Sequence, residues 1–307
     1  MKILITGASG FVGAKTAHFA AEAGDEVFAI VRPGSTSTRL ANLNKSIRQI
    51  DLDLRDTTKL RATVLQYKPD AILHLGWSGV SNAMRFDEIQ IQDNIGSSCA
   101  LAAAGAEAGT QTFIGIGSQA EYGASSEMLE TSAPNPTTLY GAAKLSTMYL
   151  TRQLAHQAGM RHVWLRLFAT YGPQDNSCWL IPFLIDEMLA GRRPKTTLGT
   201  QYWDWLYVDD VARAILAVAR SKQASGIFNF GSGQAVQVRY VVESLRDLIA
   251  PNMELVFGEV PFRPDQIMFL RADISRLQAA TDWTPQVSID EGLRASVEWR
   301  RARSSWQ

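Results

Sequence analysis

Short apolar runs alternate with helix-like segments along the first half of the chain. The apolar runs lie at residues 2–6, 26–31, 46–52, 70–75, 112–117 and 162–168. The segments of helical periodicity between them lie at residues 12–23, 56–66, 88–107 and 138–157. Runs that are short and continuously hydrophobic are typical of parallel strands buried on both faces. The alternation therefore predicts an α/β fold, a doubly wound parallel sheet with helices on both faces.

The alternation of strands and helices ends after residue 176, where prolines separate shorter elements. At 307 residues and 46% hydrophobic content, the chain is long enough for a large core and a second, smaller one. We therefore expect a first domain over residues 1–168 and a smaller C-terminal α/β substrate-binding lobe over 169–307. The apolar segment at about 203–231 is predicted to return to the first domain.

Charge and cysteine content exclude several classes of partner. The chain has 30 basic and 30 acidic residues and a pI near 6.9, so no global field would attract nucleic acid or an anionic membrane. Cys99 and Cys178 lack metal-ligand spacing, so no metal site is predicted, and a reduced cytoplasmic location fits best. The first apolar run is too short for a signal sequence or a membrane span.

A glycine motif, TGASGFVG, follows the first predicted strand and opens a helix. One glycine permits the tight turn, another lets the backbone approach a pyrophosphate, and the third lets helix and strand pack closely. An ordinary glycine-rich turn is the alternative, but the flanking strand and helix agree with a Rossmann-type dinucleotide site. The predicted cofactor contacts here are Gly7, Ser9, Gly10, Phe11, Val12 and Gly13.

The end of the second strand distinguishes between the two nicotinamide dinucleotides. An NAD site usually has a carboxylate there for the ribose 2′-OH, whereas a 2′-phosphate requires a cation. This chain has Arg32, followed by Ser35 and Arg39, and no acid until Asp51. The sequence therefore favours NADP(H), with NAD(H) possible and a solvated Arg32 as the alternative. Asp53 and Leu54 are predicted adenine contacts, although Asp53 also fits an ordinary strand-end carboxylate.

A second motif, YGAAK, places Tyr140 and Lys144 one turn apart in the last of these helices. This spacing puts a phenol and an ammonium on one helical face. The ammonium, together with a positively charged nicotinamide, is expected to lower the pKa of Tyr140 towards working pH, so that the phenol can exchange a proton with a carbonyl or an alcohol. Ser118, in GSQAEYG, supplies a hydroxyl upstream.

These motifs together resemble the extended short-chain dehydrogenase/reductases, the nucleotide-sugar epimerase, dehydratase and reductase group. The resemblance covers nearly the whole chain and includes HLG at 74–76, DNIGSS at 93–98, LRLFATYGP at 165–173, WDWLYVDDVA at 203–212, NFGSG at 229–233, FRPDQI at 262–267 and DWTPQVSIDEGL at 282–293.

The resemblance implies that Ser118 and Tyr140 are catalytic and that Lys144 is a catalytic lysine that also holds the ribose. It implies a nucleoside-diphosphate sugar substrate in the C-terminal lobe and a homodimer formed through the two long helices. Further cofactor contacts are expected at Leu75, Gly76, Asn94 and Phe168, and substrate contacts at Ser78, Gln119, Ala120 and Arg263. The Arg263 guanidinium is our candidate diphosphate clamp, with a surface salt bridge as the alternative.

The residues after Ser118 narrow the reaction. Similar 4,6-dehydratases have Asp and Glu at the positions of Gln119 and Ala120, the decarboxylases keep the Glu, and the 3,5-epimerising reductases have a cysteine base at this position. The reactions that remain need only a hydride transfer and the transfer of one proton. Arg32 and the second-lobe segments favour a 4-ketoreductase acting on a nucleotide-linked 6-deoxy-4-hexulose. A C4 epimerase is the alternative, and a non-catalytic NADP-binding regulator is disfavoured because Tyr140 and Lys144 are both present.

The chain departs from its relatives at two positions. Trp203 stands where many have an arginine that binds phosphate, and Ala169 stands where many have an asparagine. Trp77, after HLG, is expected either to shape the sugar pocket or to pack against the sheet.

Overall fold

A computed structural model describes residues 1–35, 38–40, 46–124, 128–263 and 266–304. The chain divides into two compact units. The first contains the described residues of 1–167, 211–230 and 275–284, and the second those of 168–210, 231–274 and 285–307.

A parallel seven-stranded sheet forms the centre of the first unit, in the order β3-β2-β1-β4-β5-β6-β9. Its strands are β1 Lys2–Thr6, β2 Glu26–Val31, β3 Ile47–Asp51, β4 Ala71–His74, β5 Thr112–Ser118, β6 Arg161–Leu167 and β9 Gly226–Phe230. Six of these are the predicted runs. Central strands such as β4 are buried at every position, as expected for a sheet covered on both faces. The α/β prediction is confirmed.

Ten α-helices accompany the strands in the described part of the chain. They are α1 Phe11–Glu22, α2 Thr57–Tyr67, α3 Ile89–Gln92, α4 Ile95–Ala108, α5 Leu139–Gln157, α6 Leu180–Leu189, α7 Val208–Arg220, α8 Val238–Ile249, α9 Ser275–Thr281 and α10 Ile289–Ser304. In the first unit, Leu4, Ile72, Leu101 and Phe113 belong to one buried cluster. This core holds the carboxyl ends of the strands in fixed positions.

The predicted helix at 88–107 is two helices in the structure. The break falls at Asp93 and Asn94, between α3 and α4. The Asn94 amide donates to the carbonyl oxygens of Ile89 and Gln90, and the Ile89 carbonyl also accepts the backbone N–H of Asp93, so a side chain helps to satisfy the last acceptors of α3.

The second unit has its own small sheet, in the order β10-β8-β7. These strands are β7 Ala169–Tyr171, β8 Tyr202–Tyr207 and β10 Ala235–Gln237. Leu184, Trp205, Val241 and Leu293 lie in its buried cluster. Asp204, fully buried, accepts backbone N–H groups from Ser232, Gly233 and Ala272 and so anchors two chain segments, one at residues 232–233 and one at residue 272.

No helix among the described residues combines the length and the apolarity needed to cross a lipid bilayer.

Candidate functional site

Residues 7–13, here called the nucleotide turn, connect β1 to α1. At Gly7 and Gly13 the backbone comes so close to neighbouring atoms that only glycine fits. Gly7 has φ +67°, and a Cβ on it would lie 2.7 Å from the Gly76 nitrogen at the end of the neighbouring strand. A Cβ on Gly13 would lie 2.1 Å from the Gly7 carbonyl oxygen. Gly10, before α1, has no side chain to cap the helix, so the first N–H groups of α1 lack that partner. A turn of this geometry could hold a pyrophosphate.

Arginines lie on both sides of this turn. Arg32, after β2, donates to the Ser78 hydroxyl at 3.0 Å, so a predicted cofactor residue contacts a predicted substrate residue. Arg39 donates to the Ser9 carbonyl oxygen at 3.4 Å. Asp53 is paired with the Arg55 guanidinium, whose hydrogen bonds lower the pKa of that carboxyl to about 2. This pairing with Arg55 is what is expected if Asp53 is an ordinary strand-end carboxylate.

The loop after β4 is held from two sides. The backbone N–H of Leu75 and that of Gly76 donate to the carbonyl and the hydroxyl of Thr6. The buried Asn94 amide then binds Ser78 twice, accepting its N–H at 2.7 Å and donating to its carbonyl at 3.1 Å. Asn94 therefore fixes the backbone of Ser78, while Thr6 fixes that of Gly76.

Ser118, Tyr140 and Lys144 come together in the first unit and are called the tyrosine corner. Ser118 ends β5, and its side chain is hydrogen-bonded to the Tyr140 phenol. Tyr140 and Lys144 lie in the first turns of α5, which begins after the Thr138 cap. All three corner residues are at most 9% exposed. The structure thus brings the three predicted catalytic side chains to one place.

Burial is the largest influence on the electrostatics of the corner. Burial raises the pKa of Tyr140, and the Ser118 hydrogen bond and the Arg85 charge only partly oppose it. Burial also lowers the pKa of Lys144 to about 7. The Lys144 ammonium donates to the Ile116 carbonyl at 2.7 Å and lies 5.8 Å from the Tyr140 ring centroid. Among the protein's own groups desolvation dominates and the Lys144 ammonium has other partners; the predicted lowering of the Tyr140 pKa also needs the charge of a nicotinamide and stays a prediction.

A buried ion pair lies directly behind Ser118. Glu121 accepts the Ser118 backbone N–H and the Trp164 indole N–H at 2.9 Å each, and the Arg166 guanidinium at 2.8 Å. Glu121 and Arg166 are at most 1% exposed. Sequence reasoning missed this pair, although a charged residue within the apolar run at 162–168 is a signal for a buried partner.

Two further side chains, Trp77 and Arg85, contact the corner. The Trp77 ring face covers the Lys144 ammonium at 3.7 Å from the ring centroid, and its edge meets Tyr140 at 6.2 Å between centroids. Its indole N–H donates to Gln90. Trp77 thus packs on two of the predicted catalytic residues, and the choice between the two alternatives given for it stays open. Sequence reasoning did not single out Arg85, whose guanidinium lies 5.5 Å from the Tyr140 ring centroid.

The remaining predicted residues lie in both units. Ala120 is buried beside Ser118, and the Gln119 side-chain oxygen is buried without a hydrogen-bond partner among the described residues. Phe168 and Arg263 belong to the second unit. Residues 264 and 265 of the FRPDQI motif lie outside the described residues. Trp203, where relatives have arginine, donates its indole N–H to the Ile267 carbonyl at 3.1 Å.

The nucleotide turn, the parallel sheet and the tyrosine corner together define an enzyme of the short-chain dehydrogenase/reductase type. Residues 3–231 match the model of the NAD dependent epimerase/dehydratase family, and the chain belongs to that family. The resemblance found in the motifs is thereby confirmed.

Known proteins resemble this chain over nearly its full length. It is 27% identical to dTDP-glucose 4,6-dehydratase 1 of Escherichia coli K12, over 100% of this chain and 94% of that protein. A UDP-glucose 4-epimerase structure from Thermotoga maritima, with UDP-glucose, has a TM-score of 0.88 and 27% identity and covers 99% of this chain and 100% of its own. The structure of MoeE5 with UDP-glucose and NAD has a TM-score of 0.86 and 26% identity, with the same coverage.

Proposed function

We propose that this protein uses NADPH to reduce the 4-keto group of a nucleotide-linked 6-deoxy-4-hexulose. The observation that carries the proposal is the contrast at the tyrosine corner, where Ser118 and Tyr140 are hydrogen-bonded but Gln119 and Ala120 replace the two acids that the resembling dehydratases use. A site of this kind can exchange one proton at an oxygen, and it lacks the acid and base for expelling water from C6.

The nearest acid in sequence does not substitute for them. Glu121 is fully buried, and its carboxylate already accepts hydrogen bonds from Ser118, Trp164 and Arg166. Both carboxylate oxygens already accept hydrogen bonds, so Glu121 stabilises the structure around Ser118 and is not available as an acid or a base. Dehydratase activity is therefore not proposed, despite the likeness to the E. coli enzyme.

The chain's own residues have distinct tasks in the reduction. NADPH, when bound, supplies the hydride that reaches the C4 carbonyl carbon. Tyr140 gives its phenolic proton to the developing oxygen at C4, and Ser118 donates a hydrogen bond to the same oxygen. Lys144 binds the nicotinamide ribose. The nucleotide end of the substrate supplies binding energy away from the reacting carbon, with Arg263 as the proposed diphosphate ligand.

The proposal of NADPH rests on the adenosine end of the cofactor site. Gly7 and Gly13 leave the close backbone approach that a dinucleotide needs. Arg32 follows β2 where an NAD enzyme usually has an acid, and Arg39 lies against Ser9 of the nucleotide turn. These guanidinium groups favour a 2′-phosphate. The related MoeE5 structure contains NAD, so NADH is the cofactor to compare.

The deciding experiment follows NADPH and then NADH consumption by absorbance, with dTDP-, CDP-, GDP- and UDP-linked 4-keto-6-deoxyhexoses offered in turn. We expect turnover with NADPH on one of them and its loss in Tyr140→Phe, by roughly 100- to 10,000-fold, because a general acid contributes that much. Turnover would also identify the nucleotide. Failure to oxidise NADPH or NADH with all four would refute the reductase.

A C4 epimerase is the second candidate, favoured by the likeness to the Thermotoga maritima UDP-glucose 4-epimerase. Such an enzyme oxidises and reduces in turn on one bound cofactor, so it needs the same Ser118 and Tyr140. Interconversion of C4 epimers without net cofactor use, in protein purified with bound NAD, would establish this activity instead.

A cytoplasmic location and a homodimer complete the proposal, and sedimentation would test the dimer.

A further inference from the structure

His74, the last residue of β4, is hydrogen-bonded at both ring nitrogens although the ring is buried. Its Nδ1 lies 2.8 Å from the Thr6 hydroxyl oxygen, and its Nε2 lies 2.7 Å from the Ser98 hydroxyl oxygen. The three side chains are at most 3% exposed. They are called the His74 chain below, and they connect β1 and β4 to the first turn of α4.

The partners at the two ends determine the direction of every hydrogen bond in the His74 chain. Ser98 donates its hydroxyl to the Asn94 carbonyl at 2.6 Å, so the His74 Nε2 must donate to Ser98. At the other end, the Thr6 hydroxyl accepts the Gly76 backbone N–H at 3.1 Å, which leaves its own proton for the His74 Nδ1. The hydrogen bonds therefore assign a neutral imidazole with its proton on Nε2.

Both ends of the His74 chain hold backbone that we expect to contact the cofactor. Thr6 directly precedes Gly7 of the nucleotide turn, and its hydroxyl binds the Gly76 N–H. Asn94, which accepts the Ser98 hydroxyl through its carbonyl, binds the backbone of Ser78 through its side chain. The imidazole thus lies between the two attachments of the loop after β4.

We propose that His74 is a positioning residue for the dinucleotide, whose Nε2-protonated ring holds the loop after β4 in place beside the nucleotide turn before the cofactor binds. The inference rests on the proposed function, because it requires a nicotinamide dinucleotide at that turn. The buried ring acts through the hydroxyls of Thr6 and Ser98, which it keeps in one direction. A loop that is ordered in advance binds its ligand more tightly, because less conformational freedom is lost on binding.

The direct test compares Thr6→Val with Thr6→Ser. Valine keeps the shape of threonine but leaves the Gly76 N–H and the His74 Nδ1 without their partner, so the loop must be ordered again when the cofactor binds. Serine keeps the hydroxyl and removes a methyl group from a fully buried site. In calorimetric titrations of the folded proteins, we expect the Kd for NADPH to rise about tenfold in Thr6→Val and less than about twofold in Thr6→Ser.

A role in packing alone predicts the opposite order, because only serine leaves a cavity. A larger rise in the Kd for Thr6→Ser than for Thr6→Val would therefore overturn the proposal. In steady-state assays, the change in Thr6→Val should appear in KM for NADPH, with kcat little altered.

Thr151 and His162 provide a matched control, because they form the same kind of pair. Their hydroxyl oxygen and Nε2 are 3.0 Å apart, both residues are buried, and the pair joins α5 to the amino end of β6. Thr151→Val should leave the Kd for NADPH unchanged. Equal losses of affinity in Thr151→Val and Thr6→Val would contradict a specific role for the His74 chain.

Nitrogen NMR of protein labelled at its histidine rings reads the tautomer without any ligand. The signals of the other three histidines can be assigned by replacing each in turn, so His74 itself stays unaltered; they are His18, His156 and His162. We expect His74 to show a protonated Nε2 and an unprotonated Nδ1. A proton on Nδ1 would contradict the assigned direction of the hydrogen bonds and overturn the proposal.

The titrations also separate this inference from the proposed function. Wild-type protein that binds NADPH and reduces a 4-keto sugar, with a Kd for NADPH equal to that of Thr6→Val, would refute the inference alone. Wild-type protein that binds neither NADPH nor NADH would refute the proposed function, and the inference with it.

Discussion

The nucleotide turn and the tyrosine corner reach their geometry by different physical means. The turn is backbone against backbone, and missing side chains at Gly7 and Gly13 create its shape. The corner is made of side chains, and burial and charge partners from distant parts of the chain set its properties. Substitutions should therefore act on the turn through steric overlap and on the corner through electrostatics.

Removing the buried charge behind the corner should have the largest effect. Glu121→Gln leaves Arg166 buried without its counter-ion and should lower the free energy of unfolding by about 3–5 kcal/mol. Urea denaturation would measure it. Glu107→Gln, which breaks the exposed pair with Arg61, is the control and should cause no measurable change. Equal losses in the two variants would contradict an electrostatic basis for the corner.

At the turn, Arg32→Ala should weaken NADPH binding about 10- to 100-fold and leave NADH binding nearly unchanged. The reason is the loss of a charge-assisted hydrogen bond to the 2′-phosphate, worth roughly 1.5–3 kcal/mol. Calorimetric titration with each cofactor checks this. Ser78→Ala removes the hydroxyl that Arg32 contacts but keeps the charge, and it should retain the preference. A similar loss for both cofactors in Arg32→Ala would argue against phosphate recognition.

Steric overlap at the turn predicts a destabilisation of about 1–3 kcal/mol in Gly13→Ala. The added Cβ would meet the Gly7 carbonyl oxygen at 2.1 Å and the Gly7 carbonyl carbon at 2.8 Å, which are both backbone atoms. At Gly96, near the start of α4, an added Cβ would meet nothing within 4 Å, so Gly96→Ala should stabilise the protein by roughly 0.5–1 kcal/mol. Thermal unfolding of the pair would show opposite signs. Two shifts of the same sign would mean that close packing does not define the turn.

A pH-dependent effect on stability concerns Lys144. Its folded-state pKa, about 7, lies below the ordinary lysine value of 10.5, so the unfolded chain binds more protons between these values. Stability from this group therefore rises with pH across that window, by less than about 1.4 kcal/mol per pH unit. Lys144→Met should flatten this rise in denaturation curves taken from pH 7 to pH 9. Parallel profiles of the two proteins would mean that Lys144 is charged when folded.

The sequence predicted the turn and the three corner residues because each depends on a local pattern. Glycine spacing and a one-turn Tyr–Lys spacing are visible without tertiary structure. The ion pair of Glu121 and Arg166 was not predictable in this way. It depends on the register of β5 and β6, which pairs Gly117 with Arg166 and so brings together residues 45 apart in the chain.

The same reason explains why Trp77 and Arg85 were missed or left open. Both lie on the connection after β4, whose path over α5 depends on tertiary contacts such as the Tyr140 N–H to Arg85 bond. The Tyr–Lys spacing shows which charges lie near Tyr140 and does not show how much water is excluded, so it could not predict that burial raises the pKa of this phenol. Burial of the phenol is a property of the packed corner.

The double hydrogen bond between Asn94 and Ser78 has a consequence for ligand affinity. Together with the hydrogen bond from the Gly76 N–H to the Thr6 hydroxyl, it orders residues 76–78 before any ligand arrives. Fixing the backbone of one residue opposes binding by roughly 1–2 kcal/mol of conformational entropy. For this three-residue loop, the entropic cost of ordering, about 3–6 kcal/mol, is met during folding. A cofactor or sugar that contacts the loop does not have to meet this cost, so it binds more tightly than it would to a disordered loop.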